Sequence, residues 1–507
     1  MMNKIDNNHQ IDTNQKEEKK KWKWKLWHER ERSVKINSQL IRDGIKIKVQ
    51  SAESTTDLSL VFPKEVWRQF PKTNRRKLLD NVAYIFTAHL PFLLKGNIRT
   101  EYNTCYPHSF LWANISFMRN LTAYWYLLKS KRGSHTSSML KTLLNSRSIF
   151  APTRDVIPEF PTTIDEKVLI PFSFGKDSFL TYYLAKEIDL KPTLIWFNDP
   201  IDEGYEGKHK KILYKRFKKV IKEDFYIIDN PLGSLREKGE GWFGWELAIT
   251  SWLLLSIPFA YKHKTGYVIV SNEKSTNSFF YDKDGIRVLP DYEQSAQATE
   301  ELSLLSQALT EGEVYTTTLL QGINEVGIIA VLKKRYYQNT FNFLMSCWSE
   351  TESGKEKKWC GNCSKCARIY LYLAACDVNP IKEAGFKDNM FLAKHRKLYN
   401  VFGEHASGTG WDAFGLNDDE QAFAFFLCSL RGIKAPLVQS FEKNIYFREV
   451  KDNFGKFLDE FYGLHPEDLT PLEWKTKIRK ILNSELKIAR EDAKKLYRDK
   501  FRKNRDR

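Results

Sequence analysis

Short apolar runs alternate with amphipathic stretches between residues 168 and 320, and this alternation restricts the fold more than any other feature of the chain. The apolar runs are VLIPF, TLIWFND, DFYIID, YVIVSN and EVYTTTLL, which have the length and the β-branched and aromatic content of strands. A helical pattern lies between each run and the next. Strands that alternate with helices form a parallel sheet with helices on both faces. The sequence therefore predicts an α/β fold with a doubly wound parallel sheet.

A short polar loop joins the first strand of this series to its first helix. The segment VLIPFSFGKDSFLTYYLAKE places in that loop Ser173, Gly175, Lys176, Asp177 and Ser178. Unpaired N–H groups at a helix start attract phosphate oxygens, and glycine lets the backbone approach them closely. Lys176 adds a cation where negative charge builds up when a phosphoanhydride breaks. We interpret the loop as a phosphate site, with a plain strand–turn–helix junction as the alternative. Its spacing is not that of P-loop kinases and GTPases.

Four cysteines after the last of these strands have the spacing of a metal site. They are Cys347, Cys360, Cys363 and Cys366, in a C-x12-C-x2-C-x2-C pattern. This spacing brings four thiolates around one tetrahedral zinc ion, whereas the remaining cysteines are scattered and indicate no disulfide framework. Because protein sulfur would fill all four positions, we predict a structural zinc ion and not a catalytic one.

The polar loop resembles the PP-loop, the SGGxDS signature of a superfamily of ATP pyrophosphatases. It reads SFGKDS here, so that Phe174 stands where the family usually has its first glycine. A PP-loop followed by a C-x2-C-x2-C element is similar to the 7-cyano-7-deazaguanine synthases (QueC-like enzymes). Asn272 and Asp291 match segments of that family, and Tyr292 replaces its usual cysteine. GWFGWELAIT, SNEKS and WCGNCSKC also resemble the muramoyl-peptide glutamate epimerases (MurL-like enzymes), and both resemblances lie within residues 160–385.

The resemblance implies an enzyme that uses ATP and Mg²⁺ to activate a carboxylate. The carboxylate attacks the α-phosphorus of ATP, pyrophosphate leaves, and a second reactant captures the acyl-adenylate. In QueC-like enzymes the acid is 7-carboxy-7-deazaguanine and ammonia captures it, while some defence-associated relatives attach the deazapurine to a protein. In MurL-like enzymes adenylation acidifies the α-proton of a glutamate and allows its inversion. A nucleotide-binding module without turnover is the non-enzymatic alternative.

Three strand ends supply the candidate site, because ligands bind beyond the carboxyl ends of the strands in such sheets. To the ATP phosphates we assign Ser173, Phe174, Gly175, Lys176, Asp177 and Ser178. The catalytic roles fall to the last three of these residues. Asn198 and Asp199, after the second strand, are assigned to the adenosine. To the substrate we assign Asn272, Glu273, Ser275 and Asp291. Glu273 is also a candidate magnesium ligand or a helix cap.

The length of 507 residues allows two to four domains. We divide the chain into a disordered basic tail (1–20), an N-terminal mixed α/β region (21–150), a PP-loop ATP-binding domain with the zinc element (160–385) and a C-terminal helical region with a basic tail (386–507). The polar start of the chain predicts that no signal peptide is present, and the longest apolar run, 247–261, is too short to span a bilayer. We therefore expect a cytoplasmic protein with no membrane partner.

The net charge of +17 is concentrated near the two ends of the chain. Solvated tails explain such charge more simply than a nucleic-acid surface, so nucleic acid stays open as a partner but is not favoured. A small-molecule carboxylate is the expected substrate, and the basic amphipathic C-terminal helix leaves room for a protein partner. The basic run Lys333, Lys334 and Arg335 is a further candidate to neutralise pyrophosphate, although such runs usually form a solvated face.

Overall fold

The computed structural model describes residues 32–94, 97–128, 136–152, 158–200, 204–236, 242–282, 285–347, 352–403 and 417–502. The disordered tail predicted for residues 1–20 and the last residues of the basic C-terminal tail, 503–507, lie outside these ranges. Within them, no helix has the length and apolar character needed to cross a membrane.

Strands and helices alternate through the middle of the chain, and helices alone follow. The strands of the described residues are β1 (Arg32–Ile41), β2 (Gly44–Gln50), β3 (Thr55–Val61), β4 (Ile98–Tyr102), β5 (Arg147–Ile149), β6 (Ile164–Pro171), β7 (Lys191–Asn198), β8 (Phe225–Asp229), β9 (Thr265–Glu273), β10 (Phe280–Tyr281), β11 (Arg287–Val288) and β12 (Tyr315–Leu320). Their α-helices are α1 (Lys64–Trp67), α2 (Lys72–Ile85), α3 (Leu90–Leu94), α4 (Phe110–Leu128), α5 (Thr136–Asn145), α6 (Lys176–Glu187), α7 (Tyr205–Phe217), α8 (Ala248–His263), α9 (Ala296–Leu309), α10 (Glu325–Arg335), α11 (Ser364–Ala375), α12 (Asp418–Leu430), α13 (Pro436–Phe441), α14 (Ile445–Asp452), α15 (Phe454–Phe461) and α16 (Leu472–Arg502).

The predicted parallel sheet is confirmed. Five strands pair in the order β12-β9-β6-β7-β8, and every pairing is parallel. Side chains alternate between the two faces, so that Val168 and Ile170 of β6 join one hydrophobic core and Leu169 joins the other. Helices α6 and α10 cover the first face, and α8 and α9 cover the second. Because both faces are buried, the strands are continuous apolar runs in the sequence.

The N-terminal region forms a second, mixed sheet in the order β3-β2-β1-β4-β5. In this sheet β1 pairs antiparallel with β2 and parallel with β4. The region packs on the second face of the parallel sheet: the ring of Phe62 stacks on Trp67 at 4.8 Å and lies 6.4 Å from Phe259 of α8. One hydrophobic core therefore continues across the predicted boundary between 21–150 and 160–385, and these limits stay predictions.

The C-terminal helices pack on the first face of the parallel sheet. Phe423 of α12 and Leu486 of α16 belong to the same core as α6 and α10. Helix α16 runs along α10, and the ring of its Trp474 lies 4.5 Å from that of Tyr267 in β9. The parallel sheet is thus enclosed between the N-terminal region on one side and the C-terminal helices on the other.

We expect the aromatic cluster beneath the polar loop to hold α6 on the sheet. Phe179 is fully buried, and its ring lies 5.0 Å from Phe172 and 5.4 Å from Phe217. Phe179→Ala should lower the free energy of unfolding by about 3–5 kcal/mol, because it removes this contact area and leaves a cavity. Urea unfolding measures the change. Tyr281→Ala, at an exposed position, is the control and should change stability by less than about 0.5 kcal/mol. Equal effects of the two variants would contradict this packing.

Candidate active site

A cavity of about 410 Å³ opens beyond the carboxyl ends of β6, β7 and β9. From β6 the chain extends the sheet first to one side, through β7 and β8, and then to the other side, through β9 and β12. This reversal leaves a crevice between β6 and β9, which is where doubly wound proteins bind ligands. The volume lies in the range of about 300–1,000 Å³ that is usual for small-molecule sites.

Ten of the twelve residues assigned to ATP and substrate line this cavity. They are Ser173, Gly175, Lys176, Asp177, Asn198, Asp199, Asn272, Glu273, Ser275 and Asp291. The other two are Phe174, whose side chain is in the hydrophobic core, and Ser178, which is buried in the first turn of α6. The fold therefore gathers the three strand ends at one place, while the role of each residue stays a prediction.

The polar loop leads directly into the N-terminus of α6. Gly175 precedes the first helical residue, and no side chain caps this terminus. The Ser178 hydroxyl donates to the carbonyl of Gly175 at 3.0 Å, and the N–H of Gly175 donates to Ser173 Oγ at 3.4 Å. The loop thus fixes its own shape, and the N–H groups of the first helical turn stay available to an anion.

Phe174 has a backbone conformation that glycine adopts more easily than other residues. Its φ of +63° is in the left-handed region, where a β-carbon is strained. The ring is fully buried and lies 5.1 Å from Phe172 and 6.2 Å from Trp196, so aromatic packing offsets the strain. Its carbonyl also accepts a hydrogen bond from the N–H of Met345 at 2.9 Å. Phe174 therefore adopts a left-handed backbone conformation while its ring stays in the hydrophobic core.

Lys176 is the centre of a buried ion network. Its Nζ lies 2.6 Å from Asp177 Oδ1 and 2.8 Å from Glu325 Oε2, and Arg368 Nη1 lies 3.3 Å from Glu325 Oε1. Burial alone would lower the pKa of Lys176, but the carboxylates of Asp177, Glu325 and Glu273 outweigh it and hold the pKa above its ordinary value. Burial raises the pKa of Glu325, and the cations Arg368 and Lys176 reverse this and lower it. Both members of the pair therefore stay charged.

Glu273 was a candidate helix cap, and its side chain does cap the short helical turn Lys274–Asn277. One of its oxygens accepts from the Ser275 N–H at 2.7 Å and the other accepts from the Ser275 hydroxyl, at the start of the turn Lys274–Asn277. Burial and the neighbouring carboxylate of Glu325 raise its pKa to about 8. Asn272 donates its amide to Thr299 at 2.9 Å. These two residues are held by the protein before any ligand arrives.

Asp199 is oriented entirely by protein donors. Its Oδ1 accepts from Asn230, and its Oδ2 accepts from Trp252 Nε1 at 2.9 Å and lies 3.4 Å from Arg236 Nη1. Asn198 donates its amide to Asp229. Asp199 therefore shapes the cavity wall. Of the two residues assigned to adenosine, Asn198 has fewer side-chain partners within the described part of the chain.

The far wall of the cavity comes partly from the N-terminal region, where the sequence shows no chemistry. Helix α4 contributes Asn120 and Tyr124, which face a wall formed by Trp245, Glu246 and Glu293. Burial raises the pKa of Glu246 to about 7 and that of Glu293 to about 8. The tryptophans of the GWFGWEL segment indicate an aromatic surface. No pattern in the sequence predicts that α4 lies beside that surface.

Four sulfur atoms meet as the spacing predicts, and all lie within 4.8 Å of one another. Cys347 Sγ is 4.0 Å from Cys363 Sγ, and Cys360 Sγ is 3.8 Å from Cys366 Sγ. A tetrahedral zinc ion with bonds of about 2.3 Å sets its sulfurs about 3.8 Å apart, so the cluster fits that ion. Gly361, with φ of +73°, lets the chain turn between the second and third cysteines.

The segment that carries the four cysteines, 345–368, contacts the cavity directly. Met345 bonds the carbonyl of the loop residue Phe174, and Ser346 lines the cavity beside Gly175. Helix α11 starts within the cysteine cluster, and its first turns carry Lys365 and Arg368 into the cavity wall. The sequence analysis did not assign either cation to the site. Their spacing of three residues, close to Cys366, would have predicted that both lie on one face of the helix.

The basic run at 333–335 does not reach the cavity. It ends α10, about 15 Å from Glu325 at the other end of the helix. Lys334 pairs with Asp492, and Arg335 pairs with Glu187 and, at 2.8 Å, with Glu485. These cations anchor α16 and α6, so they are not placed to neutralise pyrophosphate.

A scan against protein-family models, a search of the curated proteins and a search of the solved structures find no match to this chain. Membership of the PP-loop superfamily therefore stays a prediction from SFGKDS and the cysteine spacing. Any function proposed for the cavity has to follow from its own residues.

Purified protein should contain about one zinc ion per chain, because four thiolates form a closed tetrahedral set. The Cys360→Ser/Cys363→Ser variant should lose the metal and part of its thermal stability, since the ion ties α11 to the segment 345–347. Inductively coupled plasma mass spectrometry measures the metal. Cys105→Ser, outside the cluster, is the control and should retain it. Full zinc content in the double variant would contradict this site.

The buried Glu246 should make stability depend on pH. Its pKa is raised by burial, so the folded protein holds a proton that the unfolded chain releases near the ordinary carboxyl pKa of 4.5. The stabilisation is complete below that value and is lost as the pH rises through about 7. Relative to wild type, Glu246→Gln should therefore gain about 1–3 kcal/mol between pH 5 and pH 8. Urea unfolding at both pH values measures this, and the exposed Glu300→Gln should show no gain.

Proposed function

We propose that the protein is an ATP-dependent enzyme that transfers AMP to a carboxylate and releases pyrophosphate. The observation that carries the proposal is the position of Lys176. This cation lies at the uncapped start of α6, at the point where the strand order reverses, in the wall of the cavity. N–H groups and a fixed ammonium group together suit a polyphosphate.

In the proposed reaction a substrate carboxylate oxygen bonds to the α-phosphorus of ATP. The bond from that phosphorus to the bridging oxygen breaks, and its electron pair leaves with pyrophosphate. Lys176, Lys365 and Arg368 are the cavity cations that can offset the charge on this leaving group. A nitrogen nucleophile then attacks the acyl carbon and gives up a proton, and AMP leaves with the electrons of the acyl–oxygen bond.

Magnesium is the cation expected with the nucleotide, and the excess of carboxylates around Lys176 fits it. When bound, it neutralises phosphate charge. Asp177 is the better candidate ligand, because among the described residues only its Oδ1 has a hydrogen-bond partner, which is Lys176. Both oxygens of Glu273 accept hydrogen bonds from Ser275, so this residue would have to exchange partners before binding a metal.

The wall opposite the loop supports a flat, nitrogen-rich acid such as a 7-deazaguanine carboxylate. Trp245 and Trp252 offer aromatic faces, and Glu246 and Glu293 offer oxygens to ring N–H groups. One observation favours the MurL-like epimerase as a second candidate. A carboxylate with a pKa near 7, as in Glu246, is suited to take the α-proton of an adenylated glutamate.

The test is to incubate the zinc-loaded protein with α-labelled ATP, magnesium and one acid at a time. Expected is AMP in the presence of 7-carboxy-7-deazaguanine, with kcat/KM lowered about 100- to 1,000-fold in Lys176→Ala, because a preorganised cation is removed. Lys186→Ala, on the exposed side of the same helix, is the control. If the single variant does not fold, Lys176→Ala/Glu325→Gln removes the charge together with its partner.

The other outcomes separate the alternatives. AMP with the UDP-muramoyl dipeptide only, together with solvent hydrogen exchange at its glutamate, would favour the epimerase. AMP only in the presence of an added protein would favour conjugation of the deazapurine to that protein. Nucleotide binding without AMP would favour a module without turnover, and no nucleotide binding would contradict the phosphate-site interpretation.

A further inference from the structure

Helix α7 and the turn after it present a concentrated positive surface to solvent. We call it the basic face of α7 and define it by six exposed cations, which are Lys208, Lys211, Lys215, Arg216, Lys219 and Lys222. The helix is about 20 Å long, so these charges lie close together along one element. Such a density of like charge repels itself and attracts anions from solution.

Little of this charge is neutralised within the protein. Lys211 pairs with Asp229 at 2.9 Å, and the other five cations have no ion pair with any described residue. The contrast with α10 is clear, because Lys334 and Arg335 there are both paired with carboxylates. The basic face of α7 is therefore a free positive surface and not one side of an internal salt-bridge network.

Apolar side chains interrupt the charge. Ile212 is 51% exposed and Val220 is 47% exposed, and both lie among the cations. A phosphodiester backbone offers charge but no apolar contact for these residues. An acidic polypeptide segment can place carboxylates against the cations and aliphatic side chains against Ile212 and Val220. Protein interfaces commonly combine polar and apolar contacts in this way. The mixture of exposed side chains thus favours a polypeptide over a nucleic acid.

The first turns of α7 connect this surface to the cavity. Glu206 and Lys210 line the cavity, while Lys208, two positions from each of them, and Lys211, next to Lys210, face solvent. His209 hydrogen-bonds to the Gly354 carbonyl at 2.7 Å, which fastens the helix to the segment that leads into the cysteine cluster. A polypeptide bound along α7 would therefore lie on a rigid element beside the cavity.

We propose that the basic face of α7 is a docking surface for an acidic, partly aliphatic segment of a partner protein. The surface is separate from the residues that the adenylation reaction uses. Binding and AMP formation can therefore fail independently, and each can be measured without the other.

The test is fluorescence anisotropy with a short labelled peptide of Glu-Glu-Leu repeats, with an oligoglutamate of equal length as comparison. Expected is salt-dependent binding of the repeat peptide, weakened about tenfold or more in Lys215→Gln/Arg216→Gln/Lys219→Gln. Ile212→Asn should weaken binding of the repeat peptide and leave that of oligoglutamate unchanged. The control is Lys477→Gln/Lys480→Gln/Lys487→Gln on the exposed side of α16, which should bind as wild type does.

Each remaining outcome overturns the proposal. An equal loss in the α16 variant would mean that net charge, and not this surface, attracts the peptide. Tighter binding of oligothymidine or of anionic lipid vesicles would assign the surface to nucleic acid or to a membrane. No binding of the repeat peptide at low salt would remove the surface as a docking site. All the substituted side chains are exposed, so every variant should fold as wild type does. Thermal unfolding of each variant checks this.

Discussion

Lys176 carries a positive charge in the protein interior, and the elements around the cavity are arranged to keep it there. A buried charge costs several kcal/mol unless it is paired. Its partners are Asp177 on its own helix and Glu325 at the start of α10, and Arg368 of α11 completes the network. Helices α6, α10 and α11 must therefore begin at the same point. A ligand that binds Lys176 has to compete with these carboxylates.

Two distant parts of the chain keep this network in register. The cysteine cluster determines where α11 begins, and so where Arg368 lies relative to Glu325. The N–H of Met345, two residues before Cys347, donates a hydrogen bond to the carbonyl of Phe174, so the cysteine cluster and the polar loop support each other. On the opposite side, α4 of the N-terminal region forms the wall near Glu246. A metal ion held by the four cysteines would therefore act on the cavity through the position of α11 and of the polar loop.

Local patterns allowed part of this arrangement to be predicted. Each strand of the parallel sheet is an apolar run because both of its faces are buried, and the cysteine pairs are readable because their ligand atoms come from a short turn. The network partners Glu325 and Arg368 could not be found in this way. Each is an ordinary charged residue on a helix, and its place in the ion network depends on a contact with a residue far away in the sequence.

The sequence by itself determined the α/β class, the parallel sheet, the polar loop at a helix start and the four-cysteine cluster, because each depends on neighbours within one or two elements. Only the tertiary structure decided that three strand ends, the segment around the cysteine cluster and α4 enclose one cavity. It also decided that Asp199 is held by protein donors and that Lys334 and Arg335 anchor helices. Burial sets these outcomes, since the pairing and the pKa of a charged group depend on what the whole chain places around it.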